Sequence, residues 1–202
     1  CYNTVKTRGL MNKLLAFRSV MLMTMTAVAL PSFVGLAADE APPLLEKTAA
    51  ADARGLVWID GSKLPLEGRG FHEGIRPYSR LPDDAMGKPD LAKIRSTMHC
   101  PAGLCFRFKT DSNVLCIRWK LDAEPPYGFW NATAVLNAGI DVYAWLSGVG
   151  WRFWKSGRPN ARTNEVTLAW VPNRPCMIYL PVSRKLDKFE LGVRAGSKVE
   201  PL

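Results

Sequence analysis

Between Leu104 and Leu121 apolar and polar residues alternate in two successive runs. Leu104, Phe106 and Phe108 interleave with Cys105, Arg107 and Lys109. After Thr110-Asp111-Ser112-Asn113, the residues Leu115, Ile117, Trp119 and Leu121 interleave with Cys116, Arg118 and Lys120. Successive side chains of an extended chain point to opposite faces, so period two sends one set inward and the other outward. A helix would need its apolar positions three or four residues apart. Two such runs with a polar turn between them predict a β-hairpin with one buried face. Its other face, with Arg107, Lys109, Arg118 and Lys120, is expected to meet water or a polar partner.

Later segments continue the pattern. Val57-Trp58-Ile59, Ile140 to Leu146, Trp151 to Lys155, Glu165 to Val171, Met177 to Val182, Phe189 to Val193 and Lys198 to Glu200 are short runs between turn clusters. The 16 glycines and 15 prolines fit many short elements joined by turns. Eight or so strands at this spacing predict an all-β domain, an antiparallel β-sandwich or jelly roll, from Gly55 to Leu202. Roughly 150 residues suffice for one proper core. Leu64 to Pro89, rich in Gly, Pro and charge, reads as a long surface connection. A 48% hydrophobic and 22% charged composition excludes a disordered chain.

A leader precedes the domain. Met11 to Arg18 is a short positive segment, Val20 to Leu36 is apolar, and Gly35-Leu36-Ala37 is a small-x-small cleavage site, with Ala38 a second place to cut. This predicts a secretory signal peptide, helical before cleavage, within residues 1–38, with Cys1 to Leu10 upstream of it. The alternative is a membrane anchor. The run is at the short limit for a span, and Pro31 with the small residues after it favours cleavage and no stable anchor. The expected location is secreted or periplasmic. Residues 39–54, Ala/Pro-rich, read as a flexible linker. Four of the nine net positive charges lie in residues 1–38, leaving +5 on the rest. No Lys/Arg-rich run or nucleic-acid motif accompanies that charge, so no nucleic-acid partner is expected.

The residues offer little catalytic chemistry. His72 and His99 are the two histidines, preceded at three residues by Arg69 and Ser96 and not by an acid. Asp60-Gly61-Ser62 reads as a turn after a strand. Two histidines and scattered cysteines match no zinc spacing, and no Gly-rich loop opens a helix, so no metal and no cofactor is expected. Cys105 and Cys116 fall on the same face of the expected hairpin. They are a disulfide candidate in one register and small buried hydrophobes in the other reading. Eight aromatic residues crowd between Tyr127 and Trp154. On Trp151 to Trp154, alternation places Trp151 and Phe153 on one face and Arg152 and Trp154 on the other. Such rings either pack a core or a domain interface, or stack on sugar rings.

Several segments then match a known family in order. They are Tyr78-Ser79-Arg80-Leu81-Pro82, Pro101 to Ser112, Gly139-Ile140-Asp141-Val142-Tyr143, Gly157-Arg158-Pro159, Thr163 to Leu168 and Tyr179-Leu180-Pro181. Together they resemble the N-terminal domain of SGNH-type (GDSL-like) esterases over about Gly55 to Leu202. The departure is Ala92 to Cys100, where that family usually carries a tryptophan. The resemblance implies a β-sandwich followed by a serine hydrolase domain, here absent, so that the chain ends about where that domain would begin. It implies a non-catalytic accessory module, positioning or contacting an acylated carbohydrate, with no catalytic residue of its own. The binding candidates are Arg80, Tyr78, Trp130, Trp151, Arg152 and Trp154, with Arg80 bordering the active-site mouth. A stand-alone carbohydrate-binding module and a purely structural sandwich are the alternatives.

Overall fold

The computed structural model describes residues 50–202 apart from Phe129, with Met86 described by its backbone only. The signal peptide and residues 39–49 of the expected linker lie outside the described residues. Among the described residues, ten strands form two antiparallel sheets. In chain order they are β1 (Leu56–Asp60), β2 (Leu66–Glu67), β3 (Cys105–Thr110), β4 (Val114–Leu121), β5 (Ile140–Leu146), β6 (Gly150–Gly157), β7 (Thr163–Ala169), β8 (Cys176–Tyr179), β9 (Leu186–Arg194) and β10 (Val199–Pro201). One sheet has the order β1-β9-β4-β7, the other β10-β3-β8-β5-β6, with β2 on the edge of β3. The all-β expectation holds. One short helix, α1 (Ala134–Ala138), and three 3-10 turns fall where no helix was expected. Thr133 caps α1 by accepting from the Leu136 amide.

The two sheets face each other across one core. Cross-strand rows Ile59–Leu191–Ile117–Val166 and Val57–Val193–Leu115–Leu168 line the first sheet's inner face. Phe106–Ile178–Val142 and Phe108–Cys176–Ala144 line the second. Phe106 meets Phe189 across the gap, with ring centroids 4.7 Å apart. Trp119, fully buried, donates from its indole to the Ala138 carbonyl at 3.0 Å.

The expected hairpin does not form. β3 pairs with β8, β10 and β2, whereas β4 pairs with β7 and β9, so the two alternating runs belong to different sheets. The segment between them is an arch, in which Thr110, Asp111 and Ser112 are anchored to distant backbone. Thr110 Oγ donates to the Lys198 carbonyl at 2.6 Å, and Asp111 accepts from the Lys198 amide at 2.7 Å. Ser112 Oγ donates to the Val114 carbonyl and accepts from the Arg194 amide. The expected cationic face is therefore split. Arg107 and Lys109 pair with Glu67 and Glu200 on one outer face, and Arg118 with Glu165 and Glu190 on the other.

The split also removes the Cys105–Cys116 bridge. Each lies on the outward face of its own sheet, and Cys100, Cys105, Cys116 and Cys176 are all free and buried. Cys116 is covered by Trp58, whose ring lies across Gly192, where a Cβ would come within 3.1 Å of it. Arg118 stacks on that ring at 3.9 Å, and Asp52 accepts from its indole at 3.0 Å. Arg54 binds Asp52 and Glu165. These contacts tie Asp52 to Arg54, within the expected linker, into the domain. Burial that strips water from the thiol pushes the Cys116 pKa up.

Candidate functional site

The outer face of the second sheet carries a band of aromatic rings. Strand alternation sends Tyr143 and Trp145 outward from β5, Trp151 and Phe153 from β6, and Tyr179 from β8, while Val142 and Ala144 face the core. Tyr143 meets Phe153 edge-on at 5.9 Å and Tyr179 at 5.7 Å, and Trp145 meets Trp151 at 5.5 Å. Phe153 is 58% exposed and Trp145 42%. Asp141, one row along, accepts from the Ser156 hydroxyl. The row Arg107–Met177–Tyr143–Phe153 links the band to the paired charges at the β3 edge.

The sequence candidates fall in three separate places. Trp151 joins the aromatic band. Arg152, its neighbour, turns back and donates to the Trp151 carbonyl at 2.9 Å. A register shift between Val142 and Tyr143 makes Trp154 an extra residue in β6. Its ring packs edge-on against core Trp170 at 5.8 Å, with Arg174 above it at 5.6 Å. Trp130 stands 97% exposed on the β4–β5 connection. Tyr78 is no surface ligand. It is 5% exposed, edge-on to Phe106, and desolvation raises its phenol to about 12. Its φ of 60° is a strained value for a bulky residue, and it turns the chain so that the ring enters the core while Arg80 stays outside. Arg80 donates to the Thr97 carbonyl at 3.2 Å, and its Nε is buried without a hydrogen-bond partner. Tyr143, Trp145, Phe153 and Tyr179 are not among the sequence candidates, although period two along β5 already places Tyr143 and Trp145 opposite the apolar set.

A serine–histidine contact is also present. Ser79 Oγ lies 3.0 Å from His99 Nδ1, and His99 Nε2 lies 3.7 Å from Asp83. Two carbonyls, Leu81 at 2.9 Å and Met98 at 3.5 Å, also face the hydroxyl. The hydroxyl has one proton for these three neighbours, and the donor between Ser79 and His99 is set by the imidazole tautomer. Ser79 is 1% exposed, so the pair is a buried tie between two turns of the long connection.

Burial lowers the His99 pKa, and nearby Arg76 pushes the same way. The folded chain thus refuses a proton that the unfolded chain accepts below about 6.5. Its contribution is fully present above that pH and is lost as pH falls. Urea unfolding at pH 7.5 and pH 5 should therefore show a larger acid loss for the parent than for His99→Asn. Equal losses would remove His99 as the cause.

Two antiparallel sheets around a shared core, with an aromatic outer face, define a β-sandwich module. Residues 56–199 match GxDLY, the N-terminus of Esterase_SGNH_hydro-type, and the chain belongs to that family. The GxDLY segment here is Gly139-Ile140-Asp141-Val142-Tyr143, with Val in the place of Leu. Ile140 and Val142 enter the core, and Asp141 and Tyr143 face outward. Among solved structures, a protein described as a GDSL-like lipase from Bacteroides ovatus ATCC 8483 superposes with TM-score 0.62 at 26% identity. The match covers 72% of this chain and 43% of that one. The salicylyl-acyltransferase SsfX3, from a tetracycline biosynthetic pathway, matches at TM-score 0.53 and 16% identity. There the match covers 75% of this chain and 43% of the other. The chain therefore spans less than half the length of either structure. No curated protein matches it.

Proposed function

We propose that this domain is the non-catalytic accessory module of a secreted SGNH-type esterase acting on acylated carbohydrate. The hydrolase domain, joined after β10, would carry the serine chemistry. The observation that supports this most is the wiring of Ser79 and His99. The serine is 1% exposed, and its hydroxyl is enclosed by two carbonyls and the imidazole, so an ester has no path to it. Family membership supplies the hydrolase partner. Leu202 N donates to the Arg107 carbonyl at 3.4 Å, beside the edge of β3. Near this edge β2 opens the long connection that carries Arg80. Arg80 is partly exposed there, and a guanidinium is suited to a carboxylate or carbonyl of an adjoining domain.

The exported protein is expected to begin at Ala38 or Asp39. The longer protein should cleave an acetylated sugar ester, and this chain alone should leave it intact. Ester turnover by the chain alone, lost in Ser79→Ala, would sink the accessory reading. In the longer protein, Arg80→Ala should slow turnover by up to about a hundredfold, the scale of a misplaced reacting group. Unchanged turnover would take Arg80 away from the active-site mouth.

A further inference from the structure

A pocket that the accessory reading does not use lies at the start of the long connection. It sits between the 3-10 turn Gly61–Lys63 after β1, strand β2 and the segment from Arg69 to Tyr78. Its volume is about 230 Å³, below the roughly 300–1,000 Å³ of drug-sized sites, so it suits a small ligand. Leu64, Leu66, Ile75 and Pro77 give it apolar walls. Tyr78 backs it. That ring is held by Phe106 and by the space over Gly61, where a Cβ would come within 2.6 Å of the phenol oxygen. The walls are formed before a ligand arrives.

Arg69 is the charged residue lining the pocket. It is partly buried, and among the described residues no carboxylate pairs with it. Its Nε is buried without a hydrogen-bond partner, and Nη2 reaches only the Arg76 carbonyl, at a long 3.4 Å. Three acids of this region are committed elsewhere. Glu67 binds Arg107, Asp83 binds Arg76, and Asp60 accepts from the Ser62 amide at 2.8 Å. Glu73 lines a separate groove with Leu81 and Lys88. A guanidinium drawn partly out of water gains most from a carboxylate, whose two oxygens match its fork. Apolar walls give nothing to an ion that needs full hydration, so the carboxylate must carry an apolar tail.

We propose that this pocket binds a small monocarboxylic acid, with the carboxylate on Arg69 and a short apolar tail among Leu66, Ile75 and Pro77. The site needs no ester chemistry and stands apart from the accessory reading.

Titration of the isotope-labelled full chain with butyrate and with benzoate, followed by amide NMR spectra, tests it. Shifts are expected at Gly61 to Leu64 and at Arg69 to Tyr78. They should saturate with a Kd on the order of 1 mM, the scale that so few ligand atoms reach. Arg69→Gln should weaken butyrate binding about tenfold, as loss of a hydrogen-bonded charge pair does. Arg69→Lys should recover only part of that, because an ammonium lacks the fork. Lys93→Gln, which removes an exposed charge elsewhere on the connection, should leave binding unchanged, and thermal melts should show all three variants folded. Absence of shifts with both acids, at concentrations well above that Kd, would overturn the site. So would equal binding of butanol, which lacks the charge, or of sulfate, which lacks the tail. Equal weakening by Lys93→Gln and Arg69→Gln would reduce the effect to diffuse attraction and overturn it too. If the longer protein fails to bind acids that this chain binds, an adjoining domain fills the pocket with its own carboxylate, and a free acid is not the occupant. Sugar-ester cleavage by the longer protein bears on the accessory reading alone.

Discussion

Trp119→Ala should lower the unfolding free energy by about 3–5 kcal/mol, the usual cost of removing a buried large aromatic side chain. Trp119 is fully buried between the sheets. Its six-membered ring packs so close to β6 that a Cβ on Gly157 would come within 2.6 Å of it. Deleting the indole therefore opens a cavity bordered by both sheets. It also leaves the Ala138 carbonyl, at the end of α1, without its donor, and an unsatisfied buried acceptor adds to the loss. A domain with ordinary stability of about 5–15 kcal/mol would be left marginal. Urea unfolding followed by circular dichroism measures this directly. A loss under about 1 kcal/mol would mean that the sheets close over the gap, contrary to the packing described. Trp119→Phe should cost less, because it retains much of the volume and loses the hydrogen bond.

Gly139→Ala should destabilise by about 2–3 kcal/mol, the scale of forced overpacking. A Cβ there would lie 2.5 Å from the Val135 carbonyl oxygen and 2.7 Å from that of Gly157. Both obstacles are backbone, one in α1 and one in β6, so neither moves out of the way cheaply. The Gly139 amide also closes α1 by donating to Val135. Gly70→Ala is the matched control, since nothing lies within 4 Å of its Cβ position. That change should stay within about 0.5 kcal/mol. Thermal melts of the two variants compare them, and equal melting temperatures would refute the steric argument. The physical role of the first residue of the family motif follows. Gly139 lets a helix end and a sheet edge approach closely enough for Asp141 and Tyr143 to be presented on the outer face.

Much of the fold could be read from local pattern. Period two in Leu104–Lys109 and Leu115–Leu121 identifies both strands and the inward side chains of each, because side-chain direction depends only on position along an extended chain. The turn at Asp60-Gly61-Ser62 is also local, with Asp60 accepting from the Ser62 amide at 2.8 Å. In the candidate site, the same alternation places Trp151 and Phe153 outward together. Trp154 shows where it stops working. An extra residue in β6 breaks the count, and only the register with β5 reveals it.

What alternation cannot encode is the partner. A strand with one apolar face satisfies the same burial whether its neighbour is next in sequence or far along the chain, so a hairpin and an arch between sheets read alike. The arch was decided by residues distant in sequence, the Lys198 backbone and the Arg194 amide, which hold Thr110, Asp111 and Ser112. Tyr78, Ser79 and His99 were hidden for the same reason. They lie in a polar, irregular connection with no periodicity, and their burial comes from Phe106 and from each other. The residues of this chain thus determined which faces are apolar and which family it belongs to. Only tertiary packing decided which strands meet, because hydrogen bonds between strands carry no sequence label.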